Sequence, residues 1–236
     1  MGKTFKTIDD AVIRFAGDSG DGMQLTGGRF TETTAVVGND LSTLPDFPAE
    51  IRAPAGSLAG VSAFQIHFSS KDIHTPGDSP DVLVAMNPAA LKVHQAEIVP
   101  GGTIILNTDS FTKKNLNFAG YESSPVEDGT LDDYFTLIPI EMNKLVTAAC
   151  EGLDMSPKFV GRTKNFFALG VLYYMYDRPL DATEKWLEKK FAGKDTIIEA
   201  NKRAMNAGYN YADTTELFTT RFKVEKAVLP KGNYRN

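Results

Sequence analysis

The residues best suited to chemistry in this 236-residue chain stand in two short loops. The first is Gly17-Asp18-Ser19-Gly20-Asp21-Gly22, followed by Met23. It lies between a β-rich run, Ala11 to Ala16, and a segment with helical spacing from Met23 to about Val37. In doubly wound folds this is the carboxyl end of a strand, where ligands bind. Free backbone N–H groups at a helix start favour an anion such as a phosphate. The spacing is G-x-x-G-x-G, however, and no Gly-Lys-Ser/Thr follows, so neither the dinucleotide fingerprint nor a Walker loop is present. Asp18 and Asp21 would repel a phosphate if both faced it. A tight turn with Ser19 or Asp21 capping the helix therefore stands beside the anion-site reading.

The second loop is Arg52-Ala53-Pro54-Ala55-Gly56-Ser57. Arg52 is the only Lys or Arg between Arg29 and Lys71. A guanidinium in a small-residue loop can grip a phosphate with two parallel bonds. Equally, it can pair with Glu50 or Asp46 and pin the loop.

Other reactive side chains form no pattern. His67, His74 and His94 lack metal-ligand spacing. Cys150 is the single cysteine and ends an apolar helical stripe, as a core residue does. One cysteine forms no internal disulfide and cannot ligate an iron–sulfur cluster, which needs about four thiolates. Lys158, Arg162 and Lys164 form a basic run that reads as a solvated face, with a second phosphate contact as the sharper alternative.

The elements around these residues alternate. Val61 to Phe68 puts Phe64, Ile66 and Phe68 on one face and Ala63, Gln65 and His67 on the other, a strand with one drier side. Asp81 to Met86 and Thr103 to Leu106 are near-continuous apolar runs, as in strands buried on both faces. A brief strand around Leu41 to Leu44 and another at Phe135 to Ile140 complete the set. Asn87-Pro88 starts a short helix, with Pro88 suited to the first helical position. Helices are expected at Glu141 to Cys150, Asn165 to Met175, Asp181 to Phe191 and Lys194 to Tyr209, the third with a capping-box-like start at Asp181 and Glu184. The stretch 109–133 is polar and irregular. Strand–helix alternation predicts an α/β fold, a three-layer α/β/α domain with a mostly parallel sheet, over residues 1–221. Phe222 to Asn236 is Lys-rich, contains Pro230 and lacks periodicity, so it reads as a linker towards a following domain or partner.

Composition excludes several classes. A net charge of −5 argues against general nucleic-acid binding. No apolar stretch reaches membrane-spanning length, and the N-terminus lacks the apolar core of a signal peptide, so a cytoplasmic location is expected.

Four segments taken together resemble the gamma domain of the 2-oxoacid:ferredoxin oxidoreductases, especially the 2-oxoglutarate type. They are VIRFAGDSGDGMQLTGGRF (12–30), the loop–strand–turn–strand stretch from PAEIRAPAGSLAG to DVLVAMNPAAL (48–91), KNFFALG (164–170) and IIEANKRAMNAGY (197–209). Such enzymes convert a 2-oxo acid to its acyl-CoA and reduce ferredoxin. The resemblance implies coenzyme A, a substrate, as the ligand here. It makes Gly17, Asp18, Ser19, Gly20, Asp21, Gly22, Met23, Arg52, Ala53, Gly56 and Ser57 the residues that frame it. It assigns thiamine diphosphate, Mg and iron–sulfur clusters to partner subunits or domains, with ferredoxin an indirect partner. The 52–57 loop departs from the Lys-rich or Gly-Gly versions of some relatives. The alternative is an assembly domain of the same complex with no small-molecule site.

Overall fold

A computed structural model of the chain describes residues 4–50 and 53–228. Its centre is β2 (Asp10–Asp18), whose apolar run AVIRFA is flanked on both sides by other strands. The six-stranded sheet has the order β3 (Asp40–Asp46), β4 (Val61–Ser69), β2, β5 (Val82–Ala85), β6 (Thr103–Asn107), β7 (Thr136–Ile140). The pairs β2–β5, β5–β6 and β6–β7 are parallel, whereas β3–β4 and β4–β2 are antiparallel.

Side-chain alternation along each strand divides the core in two. Ile13, Phe15, Phe64, Ile66, Phe68, Val82, Val84, Ile105, Ile138 and Ile140 face one layer of helices. That layer comprises α1 (Met23–Val37), α4 (Met142–Ala149), the one-turn α5 (Pro157–Val160), α6 (Lys164–Met175), α7 (Asp181–Lys190) and α8 (Asp195–Thr214). Ala16, Val61, Ala63, Leu83, Ala85, Ile104 and Leu106 face the other layer, built on α2 (Pro88–His94) and the loops around α3 (Lys113–Phe118). The three-layer α/β/α arrangement expected from the sequence is therefore present, with the antiparallel pairs at one edge.

Local chemistry explains the element ends. Asn87 caps α2 by accepting the N–H of Ala90 at 2.8 Å, and Pro88 occupies the first helical turn. α6 is buried nearly all round because α8 lies directly against it. Gly170 and Gly208 permit this approach: a Cβ on Gly170 would stand 2.0 Å from Met205 O, and one on Gly208 2.0 Å from Phe167 O. The capping box expected at Asp181 does not form. Leu180 holds the cap position of α7, and the acid groups of Asp181 and Glu184 lie inside the first turn, where they suit the helix dipole.

The chain ends differ from the sequence reading. β1 (Thr4–Ile8) pairs in parallel with β8 (Thr220–Val224), and Tyr176 stacks on Phe222 with ring centroids 5.8 Å apart. Asn39 then holds Val224 O and Glu225 O through its Nδ2, and Ala227 N–H donates to Gly38 O. The boundary expected at Phe222 thus falls inside a strand. Its alternation is concealed by a cation that packs as an apolar side chain would: Arg221 stands 4.6 Å from the Phe5 ring centroid and 4.3 Å from that of Tyr174. Residues 229–236 lie outside the described residues. No helix is long and apolar enough to cross a membrane among the described residues.

Candidate functional site

The glycine loop lies where β2 ends and α1 begins, at the carboxyl end of the parallel strands. Gly17 is buried, and a Cβ there would stand 3.1 Å from Met86 Cβ and 3.0 Å from Asp21 Oδ2. Asp18 is the last residue of β2. Ser19 and Gly20 are exposed at the turn, which is held by Ser19 N–H to Gly60 O at 3.2 Å and Asp21 N–H to Asp18 O at 2.9 Å. Gly22 is left-handed, with φ +77°, and hands over to Met23, the buried first residue of α1.

No side chain caps α1. Thr26 N–H is the first to close an intrahelical bond, to Gly22 O, so the three preceding N–H groups converge on the loop. The capping role considered for Ser19 or Asp21 is therefore unfilled. Asp21 turns the other way. Its Oδ2 accepts the Asp18 N–H at 3.1 Å, and its Oδ1 pairs with Lys164 Nζ at 2.8 Å. Both side chains are more than four-fifths buried, so Lys164 belongs to the loop and not to a solvated basic face.

The second loop meets the first. Gly56, with φ +84°, donates its N–H to both carboxylate oxygens of Asp18, at 3.0 and 3.1 Å. Burial pushes the Asp18 carboxyl above its ordinary range, and the Gly56 N–H opposes that push. Ala53 packs against Gly60, where a built Cβ would lie 3.2 Å from its methyl group. Ser57 N–H donates to Pro54 O at 3.1 Å, while its sealed Oγ has no hydrogen-bond partner. Arg52, the cation assigned to this loop from the sequence, lies outside the described residues.

Asn165 is the functional candidate that the sequence reading passed over. It is 7 % exposed in an otherwise apolar helix and lines a cavity of about 310 Å³ beside Gly20, Asp21 and Gly22. A lone amide in KNFFALG was the available signal. At the other end of the chemistry, Cys150 is 3 % exposed, its Sγ–H points to Ala200 O at 3.7 Å, and burial pushes its thiol up. A single sealed thiol does not fit an iron–sulfur cluster.

The family model for pyruvate ferredoxin/flavodoxin oxidoreductase matches residues 12–211. The chain belongs to that family. Among curated members, it is 53% identical over 228 residues to the 2-oxoglutarate oxidoreductase subunit KorA of Mycobacterium tuberculosis, covering 97% of this chain and 35% of that protein. It is 25% identical over 208 residues to the ketoisovalerate oxidoreductase subunit VorA of Methanothermobacter marburgensis, covering 85% of this chain and 36% of that one. The chain thus spans about a third of the length of the curated relatives it matches.

Proteins of known structure share the fold. The 2-oxoglutarate:ferredoxin oxidoreductase of Magnetococcus marinus, with 2-oxoglutarate, coenzyme A and succinyl-CoA bound, superposes with a TM-score of 0.71 at 24% identity, over 93% of this chain and 34% of that one. The gamma subunit of a keto/oxoacid ferredoxin oxidoreductase from Geobacter sulfurreducens gives 0.59 at 17% identity, over 88% of this chain and 98% of that subunit.

Proposed function

We propose that this chain is the coenzyme A-handling part of a 2-oxoacid:ferredoxin oxidoreductase, with 2-oxoglutarate the favoured 2-oxo acid. The observation that carries this reading is the meeting of the two loops. Asp18 ties Gly56 to the end of β2 beside a 15-residue helix whose first N–H groups have no side-chain cap. Those N–H groups suit a phosphate, and coenzyme A carries several. Arg52 would add a bidentate grip. Similarity to the 2-oxoglutarate oxidoreductase subunit of M. tuberculosis supports the substrate, and the bound coenzyme A in the M. marinus enzyme supports the ligand.

The redox chemistry belongs elsewhere. Thiamine diphosphate supplies the carbanion chemistry and iron–sulfur clusters the electron path, both in partner subunits or domains. This chain's own residues bind and orient: the glycine loop offers backbone donors, and Lys164 neutralises Asp21 next to them.

A second reading, the assembly domain without a small-molecule site, draws on two observations. Asp18 and Asp21 already occupy loop N–H groups, and Leu44, Phe47 and Leu58 are exposed near the β3 edge. The two readings separate by amide hydrogen exchange on the assembled enzyme. Coenzyme A handling predicts slowed exchange at residues 17–25 and 53–57 on adding coenzyme A. Unchanged exchange there at saturating coenzyme A would favour the assembly domain.

A further inference from the structure

Arg14 alternates with Phe15 along β2 and so carries its guanidinium to the α2 side of the sheet, away from α1, in one cross-strand row with Gln65 and Leu44. Gln65 fixes the fork. Its Oε1 accepts from Arg14 Nε at 2.9 Å and Nη2 at 2.6 Å, while its Nε2 is spent on Pro76 O and Gly77 O at 2.8 and 2.7 Å. Arg14 Nη1 is left for the end of α2 and the turn after it, where it meets His94 Nδ1 at 2.9 Å and the Glu97 carboxylate. Arg14, Gln65 and His94 are 8, 2 and 3 % exposed, whereas the Glu97 side chain is 47 % exposed.

A guanidinium only donates, so His94 Nδ1 meets it with a lone pair and the proton of the neutral ring sits on Nε2. Nε2 is sealed and has no hydrogen-bond partner. The neutral ring is thus the form that fits Arg14. A proton on Nδ1 would break the Arg14 bond and set two buried cations against each other. One acceptor stands ready for that proton: Glu97 Oε1, 3.6 Å from Nδ1. Asp46, from β3, is the other carboxylate that acts on the ring. An open pocket of about 260 Å³ between β3 and the turn gives the Glu97 side chain room to move.

We propose that Arg14, His94 and Glu97 form a proton-operated latch between the sheet and the end of α2. With His94 neutral, Arg14 ties down both His94 and Glu97, and the turn Gln95–Glu97 is held against the sheet. When Nδ1 takes a proton from solvent, Glu97 leaves Arg14 for the imidazolium, Arg14 keeps Gln65 alone, and the turn loosens over the pocket. Burial, and then Arg14, holds the His94 pKa below its ordinary 6.5, against Glu97 and Asp46. The folded chain therefore binds this proton less readily than the unfolded one. The latch is fully closed above pH 6.5 and is lost as pH falls through the lowered value. It lies on the face of the sheet away from α1 and stands whether or not coenzyme A binds at the glycine loop.

Amide hydrogen exchange on the assembled enzyme, corrected for the intrinsic effect of pH, tests the latch. Between about pH 7.5 and about pH 5, protection of residues 95–98 should fall at least roughly tenfold while α6 keeps its own. His94→Gln offers Arg14 an amide oxygen that does not titrate, and should hold the turn closed at both pH values. Glu97→Gln removes the carboxylate that receives the protonated ring, so the midpoint of the transition should move to lower pH. Glu97 is half exposed, so this variant keeps the test open should His94→Gln fail to fold. Wild-type protection that stays level across this range would overturn the proposal. So would an equal fall in His94→Gln, which places the titration elsewhere, or a Glu97→Gln midpoint that stays put. A loss shared with α6 is global unfolding and overturns the local latch as well.

Discussion

The carboxylate of Asp18 receives the backbone N–H of Gly56 on both oxygens, at 3.0 and 3.1 Å, across 38 residues of chain. This contact joins the two loops, and it puts a protein carboxylate where one of the loop's own N–H donors points. Burial raises the Asp18 pKa from an ordinary 3.8, and the Gly56 bond offsets only part of that rise.

The sign of that balance predicts the behaviour of Asp18→Asn. A carboxyl whose folded pKa is raised binds its proton more tightly folded than unfolded. Its ionisation therefore costs stability, beginning as pH rises past the unfolded value near 3.8 and complete above the raised folded value. Asparagine removes that cost and keeps one oxygen for Gly56. Thermal melts should show the variant at least as stable as the wild type at pH 7, with the difference shrinking as pH is lowered to about 4. A variant less stable than the wild type at pH 7, with the deficit shrinking as pH is lowered, would mean that the Gly56 bond outweighs burial.

Gly22 and Gly20 share a loop but not a role. Gly22 is left-handed at φ +77° and faces Asn165 Nδ2, whereas a Cβ on Gly20 would meet nothing within 4 Å. Gly22→Ala should cost about 1–2 kcal/mol from backbone strain alone, plus displacement of the Asn165 amide. For a chain of this length that is a fall in Tm of roughly 2–8 °C. Gly20→Ala should move Tm by about 1–2 °C at most. Matching losses in the two variants would show that flexibility, and not the left-handed turn at Gly22, is what the loop needs.

Much of this site could be read before the fold was known, because the informative signals were local. A glycine cluster between an apolar run and a small-residue helix can only be a strand-to-helix turn, and the alternation of Phe64, Ile66 and Phe68 marks the face that α1 covers. What stayed illegible depends on contacts between distant residues. Lys164 reads as one of three surface cations until it meets Asp21, 143 positions earlier in the chain. Arg14 stands in the middle of a core strand, and its partners come from two other segments, Gln65 from β4 and His94 and Glu97 from the end of α2 and the turn after it. β1 and β8 carry too few apolar residues to register as strands, and each is strand only because the other pairs with it.

The α6–α8 crossing should be the least forgiving part of the fold. Gly170→Ala and Gly208→Ala would each push a methyl group onto a carbonyl oxygen of the facing helix, at 2.0 Å in the unrelaxed structure. Backbone cannot yield as a side chain does, so each should cost on the order of 3 kcal/mol or more. In contrast, Gly161→Ala, with nothing within 4 Å of the new methyl, should be near neutral. Chemical denaturation of the three variants gives the ranking directly. A Gly208→Ala protein with wild-type stability would require the two helices to part without loss, against the dense packing between them.

The pairing of Lys164 with Asp21 makes the last prediction a cycle of variants. Lys164→Gln leaves the Asp21 carboxylate four-fifths buried and unneutralised beside the α1 N–H groups. That charge should repel an incoming phosphate and raise KM for coenzyme A in the assembled enzyme, by about 2 kcal/mol or roughly 30-fold. Asp21→Asn alone should change KM little, because it removes a charge already balanced and retains an acceptor for the Asp18 N–H. The double variant should return close to the Asp21→Asn value, a coupling far larger than independent sites allow. KM for the 2-oxo acid should stay level throughout, since that substrate is expected to bind in a partner subunit or domain. Additive effects of the two substitutions would mean that Lys164 contacts the ligand itself, and that its 2.8 Å pairing with Asp21 gives way when coenzyme A arrives.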